Sequence, residues 1–581
     1  MTRLNRLMQL RRLKQMVKAL SSSKENVTPH LFSNNSGLNF TRNIGEKDVI
    51  RLLKYDKHTK KNADLALKDI IVPFPNFEEV DFSKGYDWQV DKSDRFGPSY
   101  QLYLQSLRIV SSLLIEFERS SKIQYLEKAQ QIIESWMDFM DTEPENDMIW
   151  YDHPSANRAQ NIIHFLYLAK DRLEIDEQRY YNVLVRHAEF MSNPTEYKYN
   201  NHSLMMDRSL MIVGRILGRI DLFNVGYYRA IDTFWYSFSA KGVHLENSPD
   251  YHVMVRKMYI EMEEYLKGYG YSFGKNINGY IEMSKEYLDI VSRPNGLLPP
   301  LGDSGNSRGT RQKVYRNFFD YEAGIGVLQY EKPTPVYVSF VAGFSTNTHK
   351  HYDDLSITLN YGGEDVLVDS GKFSYSRDPI RTYMLSAKAH STLYFENENY
   401  IKEHDNRFTH LVEMTGFYDA ADYTIIKGRN RGFEQSELGR TVILLKRYPI
   451  VILLDEASTD DEVFQNFNLH QDVELIEYNI GHSVVRLPSG HLVSFSQMGQ
   501  VDGLVNVESS TAKPASAVNT VGFGKTTPTH QMRFKITNLK DKIYAFQTLI
   551  NMNQNLKISH FKVENERLQM IIDDEEIMIT L

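Results

Sequence analysis

Between about Glu46 and Tyr321 apolar residues recur with a period close to 3.6, the spacing of one face of an α-helix. The pattern predicts helices over Tyr100–Glu118, Lys122–Met140, Ser155–Lys170, Asp176–Met191, Leu204–Ile220, Asp221–Phe238, His252–Tyr269 and Ile277–Val291. Short polar connections between them favour antiparallel neighbours packed in pairs. Helical hairpins in such succession, with no strict internal repeat, predict a toroid or superhelix.

After about Tyr330 the period changes to two. Val336–Val341, Ser356–Tyr361, Val366–Asp369, Thr441–Leu445, Val451–Asp455 and Met532–Ile536 read as strands, with turn chemistry at Gly362-Gly363. His482–Met498 reads as a hairpin about Pro488 to Gly490. Strands in succession without intervening helices predict a large antiparallel β-sandwich. The expected fold is therefore α+β and multidomain: an N-terminal segment 1–45, an (α/α) toroid over 46–330 and a β-sandwich over 331–581. Lys332-Pro-Thr-Pro335 is the expected stiff connector.

The N-terminus changes this picture slightly. Residues 1–20 carry six basic side chains and no acid, with Leu4, Leu7, Leu10, Leu13, Val17 and Leu20 at helical spacing. This reads as a basic amphipathic helix, either docked on the body or laid against an anionic membrane surface or partner. Arg11, Arg12, Lys14 and Lys18 interrupt it too often for a secretory signal, and no transmembrane span is predicted. The expected location is cytoplasmic or at a membrane surface, or secreted if the start is trimmed. A formal net charge of −8 gives no global basic field, so nucleic acid is not an expected partner. With no cysteine, any metal must be held by His, Asp, Glu or backbone oxygen.

Three segments could carry chemistry. In Thr348-His-Lys-His-Tyr-Asp-Asp354, an extended backbone would put His349, His351 and Asp353 on one face. Asp369 and His390 follow downstream, and two His with one Asp and an open position suit Zn²⁺. The plainer reading is of histidines with ordinary hydrogen bonds. A hairpin about Gly362-Gly363 pairs Asp369 near Ser356, so the His segment must fold back for the three to meet. Asn201 and His202 stand at the mouth of a helix, where both could donate to a carboxylate or Asn200 or Asn201 could simply cap. Tyr251, in the polar stretch Gly242–His252, could transfer a proton or merely pack.

Together with Asp87-Trp88 and Trp150-Tyr-Asp-His-Pro-Ser-Ala-Asn-Arg158, these segments resemble the heparinase II/III-like polysaccharide lyases. The resemblance continues through Glu246-x-Ser-x-x-Tyr-His252, His349-x-His351-x-Asp353, Leu367-Val-Asp369-Ser-Gly371 with Tyr375, and Arg381-Thr-Tyr383. It ends in Ala389-His-Ser-Thr392, Gly439-Arg-Thr-Val442 and Leu454-Asp455. It implies an incomplete (α/α) toroid joined to an antiparallel β-sandwich, and cleavage of uronic-acid polysaccharides by β-elimination. It assigns Asn201 and His202 to neutralising the uronate carboxylate, with His202 also a candidate base. Tyr251 becomes acid, and for one C5 stereochemistry also base; His349 is the second catalytic histidine. It makes His351, Asp369 and His390 a structural divalent-metal triad, with Zn²⁺ the expected ion. Arg158, Glu246, Tyr375 and Tyr383 are expected to bind an acidic polysaccharide or oligosaccharide.

The sequence departs from the family at Tyr352, where a small residue is usual, and at Ser391, where Asn is. A net-acidic chain needs a local basic cleft for such a polymer, with Arg158, Arg208 and Arg381 as candidates. Two alternatives compete. A glycoside hydrolase on the same toroid would use two carboxylates such as Asp207 and Glu246. A glycan-binding or assembly protein would keep the scaffold without the reaction.

Overall fold

The computed structural model describes residues 39–581 except 76, 376–377, 506, 538 and 540–542. The basic amphipathic segment over residues 1–20 lies outside the described residues. Among the described residues no helix is long and apolar enough to cross a membrane.

The helical half contains Arg108–Ser120, Ile123–Met140, Asp152–Ala169, Glu177–Ser192, Asn201–Ile216, Ile220–Ser237, Pro249–Gly268 and Gly274–Val291. Their apolar faces meet in one continuous core that runs from Phe40 to Ile281. The stretch expected as a single helix over Tyr100–Glu118 is two, Ser99–Gln105 and Arg108–Ser120, because Leu107 is left-handed at φ 51°. The carbonyls freed at the break are not lost: Asn161 Nδ2 donates to both Ser106 O and Leu107 O at 3.1 Å. The break leaves Arg108 at the start of the second helix.

The β half begins earlier than the connector reading allowed. Phe318–Asp320 is its first strand, and Lys332–Pro335 is the turn between Ile325–Tyr330 and Val336–Val341. A five-stranded antiparallel sheet (residues 318–367) faces an eight-stranded one whose centre is Glu437–Leu445, Ile450–Ser458 and Phe546–Asn551. Val338, Phe340, Val442, Leu444, Val451 and Leu453 fill the space between the sheets. Ile443, Leu445, Ile452 and Leu454 point the other way, onto the terminal sheet formed by Ile558–Glu564, Arg567–Ile572 and Glu575–Thr580. Burial on both faces is why these strands read as unbroken apolar runs rather than alternating ones.

The two halves share a packed seam. Tyr287, Ile290 and Val291 of the last long helix pack against Phe318, Val327, Tyr337 and Val341 on the outer face of the five-stranded sheet. Loops above this seam carry the candidate chemistry.

Candidate functional site

Two helix starts define one wall. Asn200 caps Asn201–Ile216 through Ser203 N at 3.0 Å, which leaves the Asn201 side-chain amide without a hydrogen-bond partner among the described residues. His202, next along, donates from Nδ1 to the buried Asp152 Oδ1 at 3.0 Å, so its Nε2 is the free nitrogen. Pro249 and the Ser248 cap start the helix Pro249–Gly268, which places Tyr251 in its first turn.

The opposite wall is the histidine loop. It is not a strand: His349 and Leu355 are left-handed at φ 58° and 66°, so the chain folds back between them. That turn replaces the extended geometry expected for His349, His351 and Asp353. The His349 ring stacks on Tyr251 with centroids 3.6 Å apart, and Tyr251 Oη meets Tyr375 Oη at 2.5 Å. Glu246 closes the group: its Oε1 accepts from Asn201 N at 3.1 Å and its Oε2 lies 3.6 Å from His349 Nε2.

A carboxylate that sequence reading did not single out holds this loop. Asp303 accepts from His349 Nδ1 at 3.0 Å, His351 Nε2 at 3.1 Å, and both Arg381 terminal nitrogens. Burial alone would raise its carboxyl; the bonds from the two histidines and the Arg381 charge hold it well below the usual carboxylate range. The available signal was Gly302, at φ 53°, where a Cβ would meet Asn247 O at 2.5 Å and His349 O at 2.7 Å. Only glycine permits that approach of the Asp303 backbone to the His349 loop. Asp152, the acceptor that orients His202, is likewise visible only in the fold, although it lies within Trp150–Arg158.

Burial tunes the group in opposite senses. It pushes the Tyr251 phenol up and the His349 imidazole down, the latter against the Asp303 carboxylate, so near neutrality Tyr251 carries its proton and His349 is uncharged. Burial also pushes Glu246 up to about 7, opposed by the Asn201 N–H. Because this folded-state pKa is above the unfolded one, the unfolded chain holds fewer protons between them and stability falls as pH rises from about 4.5 through 7. Glu246→Gln is therefore expected to raise Tm by a few degrees at alkaline pH and little at pH below the unfolded pKa, as checked by calorimetry across pH.

The remaining expected residues divide. His351, Asp369 and His390 converge, with one donor atom from each within 4.8 Å of the others, and all three are buried. His390 Nδ1 donates to Asp369 Oδ2 at 2.7 Å, and His390 Nε2 and His351 Nδ1 are buried without a hydrogen-bond partner among the described residues. The sandwich braces the loops carrying them: Arg440 pairs with Asp455 and donates to Leu355 O and Ser391 O at 2.8 Å. Tyr375 lies exposed beside Tyr251, as a substrate contact requires. Arg158 and Tyr383 do not reach the cleft. Arg158 has no exposed surface; it donates to His187 Nε2, Gln105 O and Ile149 O and lies over Trp136, so it ties helices together. Tyr383 is packed among Phe373, Met384 and Val518, its hydroxyl held by Ala517 N and Gln531 Nε2. Asp207 is enclosed with Arg229 and Tyr197, and no part of it is open to a substrate.

A helical toroid followed by a large antiparallel β-sandwich is the fold of heparinase III. Residues 321–559 match the family described as Heparinase II/III-like, C-terminal. The fold of the whole chain is similar to a crystal structure of heparinase III, with TM-score 0.76 and 14% identity over 94% of each chain. It is also similar to a heparan sulfate lyase HepC mutant from Pedobacter heparinus (TM-score 0.65, 14% identity, 99% of this chain and 95% of that one). Chondroitin AC lyase from Streptomyces coelicolor, bound to chondroitin sulphate, aligns at TM-score 0.56 and 9% identity, over 92% of this chain and 86% of that one. At these identities the likeness is one of fold. No curated relative matches the sequence.

Proposed function

We propose that this chain is a polysaccharide lyase that cleaves a uronic-acid-containing polysaccharide by β-elimination. The observation that carries this reading is the stacking of Tyr251 on His349, with Asn201, His202 and Glu246 around the pair. The lyase folds to which this one is similar, among them heparan sulfate and chondroitin lyases, support it.

The C5 proton of a uronate becomes removable once the C6 carboxylate is neutralised. In this reading the free Asn201 amide and His202 do so, stabilising the charge that grows as the proton leaves. His349, uncharged and with Nε2 open, takes the C5 proton; its Nδ1–H is fixed on Asp303. The C5–H electron pair forms the C4=C5 double bond, the C4–O4 bond breaks, and Tyr251 protonates O4. Glu246, 3.6 Å from His349 Nε2, stabilises the imidazolium that results. The hydrolase alternative loses support because Asp207 is locked in an ion pair with Arg229. A panel of alginate, heparan sulfate, heparin, hyaluronan, chondroitin and glucuronan, read by ultraviolet absorbance, tests the proposal. Growth of the conjugated uronate band on one polymer supports it; cleavage without that band on every polymer cut overturns it.

The buried His351, Asp369 and His390 group fits a divalent ion, with Zn²⁺ best matched to two imidazoles and a carboxylate. Each unpaired buried nitrogen costs about 1–3 kcal/mol, and a cation would satisfy both. When bound, the ion would supply a fixed positive charge that clamps three loops of the sandwich. His351→Ala is expected to lower both metal content and Tm of the purified protein. Metal-free wild type whose Tm is indifferent to chelator would contradict this assignment.

A further inference from the structure

Both helices that start at the cluster run away from it along the inside of the toroid. One turn beyond His202 and Tyr251 stand Met205 and Met254, then Arg208 with Lys257 and Met258. Between them and the Arg108–Ser120 helix lies a cavity of about 310 Å³, at the small end of ligand-binding pockets. Its upper wall is shared with the cluster: Tyr103 lies edge-on to His153, which in turn lies 5.3 Å from the His202 ring.

The charges lining this chamber do not cancel. Arg51, Arg108, Arg208 and Lys257 face a single carboxylate, Glu261. Arg51 is paired elsewhere, with Glu46 and Glu118, and Glu261 is shared between Arg208 and Lys257. Arg108 makes no hydrogen bond or ion pair among the described residues, with only the longer-range attraction of Asp56; its guanidinium lies over the Phe74 and Tyr103 rings at 5.0 and 5.9 Å. Arg208 Nε is buried and unpartnered. His153, pushed down to about 3 by burial, is neutral and adds no charge. Leaving a half-enclosed guanidinium without a directly bonded counter-ion is costly, and a bidentate oxyanion is the group its fork fits. Arg208 and Lys257 each lie six residues beyond His202 and Tyr251, hence ~9 Å deeper along their helices.

We propose that this chamber is an anion-accepting subsite in which Arg108, helped by Arg208 and Lys257, grips the carboxylate or sulfate ester of a sugar next to the one cleaved. That the anion belongs to a sugar rests on the lyase reading; the anion site itself does not. The subsite gives a net-acidic chain the local attraction that its overall charge denies.

Calorimetric titration with sodium glucuronate, sodium sulfate and neutral N-acetylglucosamine, at matched ionic strength, tests it. Wild type is expected to bind one or both anions and not the neutral sugar; glucuronate alone identifies a carboxylate site, and sulfate alone a sulfate-ester site. Arg108→Gln should weaken that binding by about 10- to 100-fold. Lys257→Gln, on a largely exposed side chain, should weaken it less and keeps the test valid if Arg108→Gln fails to fold. Tyr251→Phe should bind the anion as wild type does, so loss of the lyase reading and loss of the subsite are separate outcomes. Wild type that binds neither anion, or binds the neutral sugar equally, overturns the proposal. So does unchanged affinity in Arg108→Gln where it folds, or in Lys257→Gln where it does not.

Discussion

Tyr251→Phe is expected to lower kcat by about 10²- to 10⁴-fold with little change in KM. The substitution deletes one oxygen and keeps the ring that stacks on His349 at 3.6 Å, so the fold and the cleft should survive. The lost oxygen is the one that burial holds protonated, and in the proposed mechanism it protonates the departing O4. Steady-state kinetics on the cleaved polymer check this; normal turnover would remove Tyr251 from the mechanism and leave His202 or His349 to carry both proton transfers.

The second large effect is expected at Asp303, which acts through His349. Asp303→Asn keeps the shape but offers one acceptor oxygen where His349, His351 and Arg381 now find two charged ones. An amide nitrogen facing His349 Nδ1 would favour the tautomer with its proton on Nε2, the atom that must be bare to act as base. A kcat loss of about 10²- to 10⁴-fold is expected, together with a lower Tm because the Arg381 charge loses its partner. The pH profile separates the roles: a purely structural residue would scale activity at all pH values alike, whereas loss of the Asp303 charge should move the basic-form requirement of His349 to lower pH.

The helices and strands were legible from two different signals. Asn201–Ile216 presents its apolar residues at helical spacing, whereas Ile450–Ser458 stands out as a short continuous apolar run, because both of its faces are buried. The break at Leu107 was not legible, since it depends on Asn161, far along the chain, donating to the freed carbonyls. Arg158 misled for the same kind of reason. A cation beside polar residues suggests an anion site, and only the approach of Gln105 O and Ile149 O turns it into a strut. Tyr383 is a motif residue whose hydroxyl serves packing rather than the cleft. The candidate site was readable where short motifs carry unusual side chains, at Asn201-His202, Tyr251 and His349. It was unreadable where one residue, Asp303, joins loops brought together by the fold.

Elimination and hydrolysis differ in the fate of water, and cleavage of the responsive polymer in water enriched in heavy oxygen separates them. Mass spectrometry of the new ends is predicted to show no solvent oxygen incorporated and a product lighter by one water than the hydrolytic fragment. Incorporation of one heavy oxygen per bond cut, with no loss of water in the product mass, would instead establish hydrolysis.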